Sequence, residues 1–322
     1  MRIAIAVCFI FAAPVAMAQS EEAPPEQPAQ ASAAPEAGPE DAQPQQPSRP
    51  RFLYKVGASI DAQSVPHIGG GGDATTVSTR TDFSITWLAS QRTQMILDVS
   101  NEFAHYDFDG AFGLDPVDGA PFSSFTRQNF DLLVAHAIDR RWSVLAVGGV
   151  GVARERTADV GDSIVWRAGV GATYRVAPTV TLGVTVFAQS QLENDTEIFP
   201  IPQVDAEFQL AEQWTLKLAT IGGAVLSYQA TEELAFNLKA GYDERQFRLD
   251  DTDFAPDGVF QDKAIDLMLG VNWTPAPGVE VTAGVGSQLW RRFKVKDSDG
   301  NRLSRVETDP TLMLHAGLSY SF

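Results

Sequence analysis

Val180-Thr181-Leu182-Gly183-Val184-Thr185-Val186-Phe187-Ala188-Gln189 alternates from its first residue to its last. Val180, Leu182, Val184, Val186 and Ala188 share one face, and Thr181, Gly183, Thr185, Phe187 and Gln189 share the other. A period of two is the mark of a strand with one apolar and one polar side. The same rhythm returns at Ile265, Leu267, Leu269, Val271 and Trp273 against Asp266, Met268, Gly270 and Asn272. Further segments begin at Phe52, Phe83, Ile164, Val204 and Leu234, which predicts an all-β chain beyond Arg51.

Alternation alone also suits a water-soluble sandwich, so segment length and spacing decide. Many segments run about nine to thirteen residues, the length a tilted strand needs to cross a bilayer, whereas soluble strands average about five or six. Connections alternate between short and long. Short ones fall at Ala89 to Arg92, Asp139 to Arg141, Val176 to Pro178, Ala211 to Gln213, Thr231 to Glu233 and Pro275 to Gly278. Long, Asp/Gly/Pro-rich ones fall at Gln63 to Thr76, Asp107 to Ser124, Arg154 to Asp162, Gln191 to Pro200, Arg245 to Asp262 and Lys294 to Asp309. Membrane barrels pair tight periplasmic turns with extended outer loops in this way. Trp87, Trp142, Trp214 and Trp273 all sit beside short turns, where an amphipathic indole would mark one membrane interface as a girdle.

The ends agree. Arg2, the apolar run Ile3 to Val15 and Ala16-Met17-Ala18 have the layout of a signal peptide, residues 1–18. Its removal takes Cys8, the one cysteine, and changes the net charge from −17 to −18, which leaves no disulfide or thiolate chemistry. Such acidity argues against nucleic acid as a partner. Residues 19–50, rich in Pro, Ala, Gln and Glu and without one aromatic or β-branched residue, bury too little to order and predict a disordered periplasmic linker. After the signal the chain carries no run of about eighteen apolar residues, so helical spanning is excluded.

The last strand alternates Leu312, Leu314, Ala316, Leu318, Tyr320 and Phe322 with polar or small residues and closes on Phe. It resembles the assembly signal of Gram-negative outer-membrane β-barrel proteins, with Tyr320 and Phe322 as its key positions, and residues 51–322 resemble an uncharacterised proteobacterial barrel family. The resemblance implies outer-membrane lipids and lipopolysaccharide as surroundings. It also implies the barrel-assembly machinery and periplasmic chaperones as biogenesis partners. The expected fold is a transmembrane antiparallel up-and-down β-barrel of about fourteen strands, or twelve if the segments flanking Gly222-Gly223 are not strands. Closure leaves no backbone group unpaired in lipid.

With apolar faces outward, the lumen receives Lys55, Asp61, Asp98, Glu102, Asp131, Arg167, Asp205, Glu207, Lys217, Lys239, Asp243 and Asp266. A mixed but acidic lining predicts a passive pore for small polar solutes with slight cation preference. The alternative is a non-conducting structural or adhesion barrel packed with salt bridges. No cofactor or metal site is expected. Strand glycines such as Gly149, Gly151, Gly169, Gly171, Gly284 and Gly286 lack a following helix and signal curvature or close approach rather than phosphate binding. Asp297-Ser298-Asp299-Gly300-Asn301 lacks a calcium loop's spacing and predicts a hairpin turn. No catalytic residue is assigned. A lipid hydrolase would need a serine and an oriented histidine at the outer rim, and of His67, His105, His136 and His315 only His105, near Ser123 and Ser124, is suitably placed.

Overall fold

The computed structural model describes residues 51–65, 68, 72–109, 122–193, 196–220, 222–251 and 255–322. The expected signal peptide and linker lie outside the described residues.

Among the described residues there are fifteen strands: β1 (Arg51–Val65), β2 (Asp73–Leu88), β3 (Thr93–Asp109), β4 (Ser124–Ala137), β5 (Trp142–Glu155), β6 (Ile164–Ala177), β7 (Val180–Ser190), β8 (Thr196–Ala211), β9 (Trp214–Ala219), β10 (Gly223–Gln229), β11 (Leu234–Arg248), β12 (Val259–Ala276), β13 (Val279–Lys296), β14 (Arg302–Thr308) and β15 (Thr311–Ser321). Each strand from β1 to β13 pairs antiparallel with the next. Then β13 pairs with β15, and β15 with β1, which closes a barrel of fourteen strands. The seam is zipped at its end by Tyr54 and Phe322, which exchange backbone bonds of 2.9 and 3.0 Å. β14 stands outside the count: it continues the wall above β15 on the far half of β13, beyond the break at Asp309-Pro310.

The segments flanking Gly222-Gly223 are strands, but short ones. Gly222 and Gly223 both have positive φ, 111° and 77°, a turn that glycine adopts without strain. The strands elsewhere reach farther than alternation suggested. β2 begins at Asp73 rather than Phe83, β8 at Thr196 rather than Val204, and β11, β12 and β13 extend a few residues into the ends of the expected long loops. Beyond the apolar belt, the outer face meets water and the inner face packs on itself, so the period-two contrast fades while backbone pairing continues.

Outward positions carry the apolar belt. On β6 they run Ile164, Trp166, Ala168, Val170, Ala172 and Tyr174, with Val170 66% exposed. Ten residue steps at about 3.3 Å, tilted by about 40°, give a height of roughly 25 Å, which matches the apolar band of membrane barrels. At the end bearing Arg51 and Phe322, called the near end, the four tryptophans point outward. Phe52 stacks on Trp87 at 5.9 Å and Tyr54 on Phe322 at 5.3 Å, while Trp142 and Tyr174, and Trp214 and Tyr228, pack as tilted pairs at 4.9 Å.

At the far end β11 bends inward until Arg248 bridges to Arg154 of β5, whose edge is free above Val152. The wall thus narrows to a collar made of β1–β5 and β11–β14. Aromatic side chains fill it: Tyr106, Phe108, Phe122, Phe125, Phe247, Phe260 and Phe293, with Val65, Ile68, Leu249 and Val295. This core was not expected from the sequence, because its residues lie on inward faces that the alternation assigned to polar side chains.

Candidate functional site

The candidate site is the barrel interior below the collar. Cross-strand partners share a face, so register alone places Lys55, Asp61, Asp98, Glu102, Asp131, Arg167, Asp205, Glu207, Lys217, Lys239, Asp243 and Asp266 on one inner surface. Nine of these border internal cavities. Asp205, Glu207 and Lys217 border none of the three cavities described below. The Glu207–Lys217 pair, at 3.2 Å with side chains 50% and 57% exposed, stands at the near-end mouth.

The interior cavities bordered by described residues include three. A vestibule of about 840 Å³ opens between β1–β4, β13 and β15 and is bordered by Lys55, Asp82, Ser84, Asp98 and Glu280. A middle cavity of about 250 Å³ is bordered by Asp61, Glu102, Lys239, Gly241, Arg245, Asp266 and His315. A third, of about 120 Å³, lies between β6–β7 and β11, bordered by Asp131, Arg167, Gln189, Glu244 and Gln246. Arg80 is the one described residue that borders all three, and it pairs with Asp82 at 2.8 Å.

Ion pairs brace the narrow middle. Glu102 accepts from Arg127 at 2.6 Å and lies 3.3 Å from Arg245, which meets Asp243 at 2.8 Å. Arg167 holds Asp131 through two guanidinium nitrogens, the Nε contact being 2.6 Å, and Lys263 meets Glu244 at 2.8 Å. Across the three cavities the bordering residues carry nine carboxylates and six Lys or Arg, so the lining is acidic by three charges with histidine neutral. Above them Arg291, fully buried, donates to Asp262 at 2.7 and 3.0 Å and to Gln63 at 2.8 Å, and lies 4.6 Å over the Phe293 ring. The Tyr106 hydroxyl donates to Asp262 at 2.9 Å. Collar and network together narrow the axis at the far end with packed side chains.

The wall itself is incomplete on one side. β8 pairs with β9 only over Asp205–Ala211, and β11 pairs with β10 only over Ala235–Ala240. Above the β9–β10 turn, the far halves of β8 and β11 therefore have no strand between them among the described residues. Val204 still bonds to Thr220, at 2.9 Å through its carbonyl. By the alternation of strand geometry, Pro202, Pro200 and Ile198 turn their backbone the same way, into the gap. Proline has no N–H to leave unsatisfied, which is why a sheet tolerates it at a free edge. The gap closes at its top, where Arg248 donates to the Leu192 carbonyl and, at 3.1 and 2.5 Å, to those of Asp162 and Asp257.

The interior is also less polar than expected. Val147 and Phe187 form a buried apolar cluster with half-buried Leu133, Phe199 and Ile201. All are inward positions on β4, β5, β7 and β8.

Of the histidines, His315 bonds Asp61 at 2.8 Å and Thr282 at 3.2 Å inside the barrel, and His136 bonds Thr93 at 2.9 Å at the near end. The structure does bring His105 Nδ1 and Ser124 Oγ to 3.0 Å, on the outer face. Among the described residues no carboxylate or amide orients that ring. Asp297 accepts the backbone N–H groups of Asp299 and Asn301 at 3.1 and 2.7 Å, and Gly300 has φ 81°, so this segment is a tight hairpin turn.

Solved structures similar to this chain include the Pseudomonas putida toluene transporter TodX, at 7% identity over 84% of this chain and 89% of that one, with a TM-score of 0.45. Another is the COG4313 outer membrane channel from Pseudomonas putida F1, at 8% identity over 89% and 100%, with a TM-score of 0.44. A third is the translocator domain of autotransporter NalP from Neisseria meningitidis, at 10% identity over 84% and 88%, with a TM-score of 0.35. No curated protein matches the chain by sequence. One family model does match, over residues 123–321, from the foot of β4's far end to the last residue of β15 and more than half the chain. The chain belongs to the family described as a domain of unknown function, DUF6268.

Proposed function

We propose that this protein is an outer-membrane channel of a Gram-negative bacterium, passing small solutes passively, with the near end in the periplasm. The observation that carries the proposal is the chain of three cavities meeting at Arg80. A barrel packed solely for structure would have no use for a vestibule of about 840 Å³ behind a charged constriction. The outward tryptophans and the Tyr320–Phe322 terminus suit an interfacial girdle and an assembly signal at that periplasmic end. The lining's acidic excess, focused by low-dielectric walls, favours small cations over anions.

Single-channel recording from the refolded chain in planar bilayers tests this. Discrete, mildly cation-selective steps are expected. Gly241 faces the middle cavity, and a Cβ there would meet nothing within 4 Å, so Gly241→Trp should fold normally and lower the conductance. A silent bilayer with verified insertion would overturn the channel. The packed collar supports a second reading, a non-conducting barrel, and that outcome would favour it.

A further inference from the structure

We infer that a stripe of apolar side chains inside the wall guides small, largely apolar solutes sideways through the gap between β8 and β11. This rests on the channel reading and adds a solute class and an exit to it.

Register builds the stripe. Ile96 pairs with Leu133, Leu133 with Val147, Val147 with Gly169, Gly169 with Phe187, and Phe187 with Phe199. These six form one inward row along the hydrogen-bonding direction. Gly169 leaves room for a ring: a Cβ there would lie 2.9 Å from Phe187 Cδ1. Because strands tilt, the row climbs. Ile96 is near the start of β3 at the near end and borders the vestibule, whereas Phe199 lies on the far half of β8. There the row ends at the edge that Pro200 and Pro202 keep free of a partner strand.

The next row upward is Asp98, Asp131, Gly149, Arg167, Gln189 and Glu197. A charged row beside an apolar one suits a molecule with an apolar body and a single hydrogen-bonding group. Such a molecule would leave the gap among the outward side chains Ile198 and Val204 at the level of the belt, in hydrocarbon rather than water. The collar makes this side exit the direct one for an apolar solute, since aromatic rings narrow the axial path.

The test uses the full chain in cells whose intact outer membrane excludes 1-N-phenylnaphthylamine, with ion conductance measured on the same protein in planar bilayers. Production of the wild type should raise dye entry above the empty-vector rate. Ile201→Asp, which sets a carboxylate beside the stripe, should lower that entry by about tenfold or more while ion conductance persists. Heat-dependent gel mobility verifies folding, and Phe199→Ser serves if the aspartate variant fails to assemble. Dye entry equal to the vector control, or unchanged in a folded variant, overturns the stripe even where bilayers conduct. Absent ion steps with substitution-sensitive dye entry would instead sink the polar-pore reading and leave the stripe standing.

Discussion

Arg291→Met reports on what the collar contributes. The guanidinium is fully buried, with two bonds to Asp262 and one to Gln63. Substitution leaves Asp262, itself 5% exposed, with the Tyr106 hydroxyl as its remaining side-chain donor. Removing one partner of a buried pair costs about 3 to 5 kcal/mol, because the other charge stays buried. That is roughly two to three and a half decades in the unfolding equilibrium. Adding Asp262→Asn removes the stranded charge while keeping an acceptor for Tyr106, so the double variant should be more stable than Arg291→Met alone. Loss of packing by itself could not give that reversal. Urea unfolding in lipid vesicles, followed by tryptophan fluorescence, measures both. A single-variant loss below about 1 kcal/mol, the net worth of an ordinary hydrogen bond, or a double variant no more stable than the single, would refute the assignment of Arg291 and Asp262 as a desolvated pair.

Two further outcomes follow from the outer face and from a near-end turn. Val170→Arg, at the middle of the β6 belt and 66% exposed, should destabilise the barrel in lipid by about 2 to 4 kcal/mol; equal stability of variant and wild type in the same vesicles would remove Val170 from the hydrocarbon. Asp139 accepts the N–H groups of Trp142 and Arg141 at 2.8 and 2.7 Å, which hold its carboxyl below the usual carboxylate range. Its contribution to turn order is therefore present above that range and is lost as pH falls through the lowered value. After correction for intrinsic exchange, hydrogen exchange at the Trp142 amide should lose protection over that acid window in the wild type but not in Asp139→Ala, and matching profiles would exclude the capping role.

Much of the wall could be read from the chain because a barrel's outer face is a local property. Val180 to Gln189 alternates as β7 does, and the four tryptophans mark one rim because each neighbours a tight turn. The interior was harder. Alternation sets Phe187 on the polar face, yet nothing near it in the chain shows that Leu133, Val147 and Phe199 face the same lumen. The collar escaped for a related reason: Tyr106, Phe125, Phe247, Phe260 and Phe293 come from strands far apart in sequence and meet only after β11 turns inward.

Pro200 and Pro202 show what a pattern withholds until pairing is known. Set among Thr196, Glu197 and Asp205, they suggest a loop, because a proline removes a ladder donor. Two prolines two residues apart also satisfy a different condition, a strand whose alternate N–H groups face no neighbour. β8 meets that condition only because β9 and β10 are short, and their shortness is set by the glycine turn at Gly222-Gly223 some twenty residues later. The prolines and the glycines thus describe one feature, an unpartnered edge above a truncated hairpin. The apolar row that ends there is invisible along the chain, since its members lie on six different strands and only register joins them. A lengthened β9–β10 hairpin would fill the gap without touching any residue of the row.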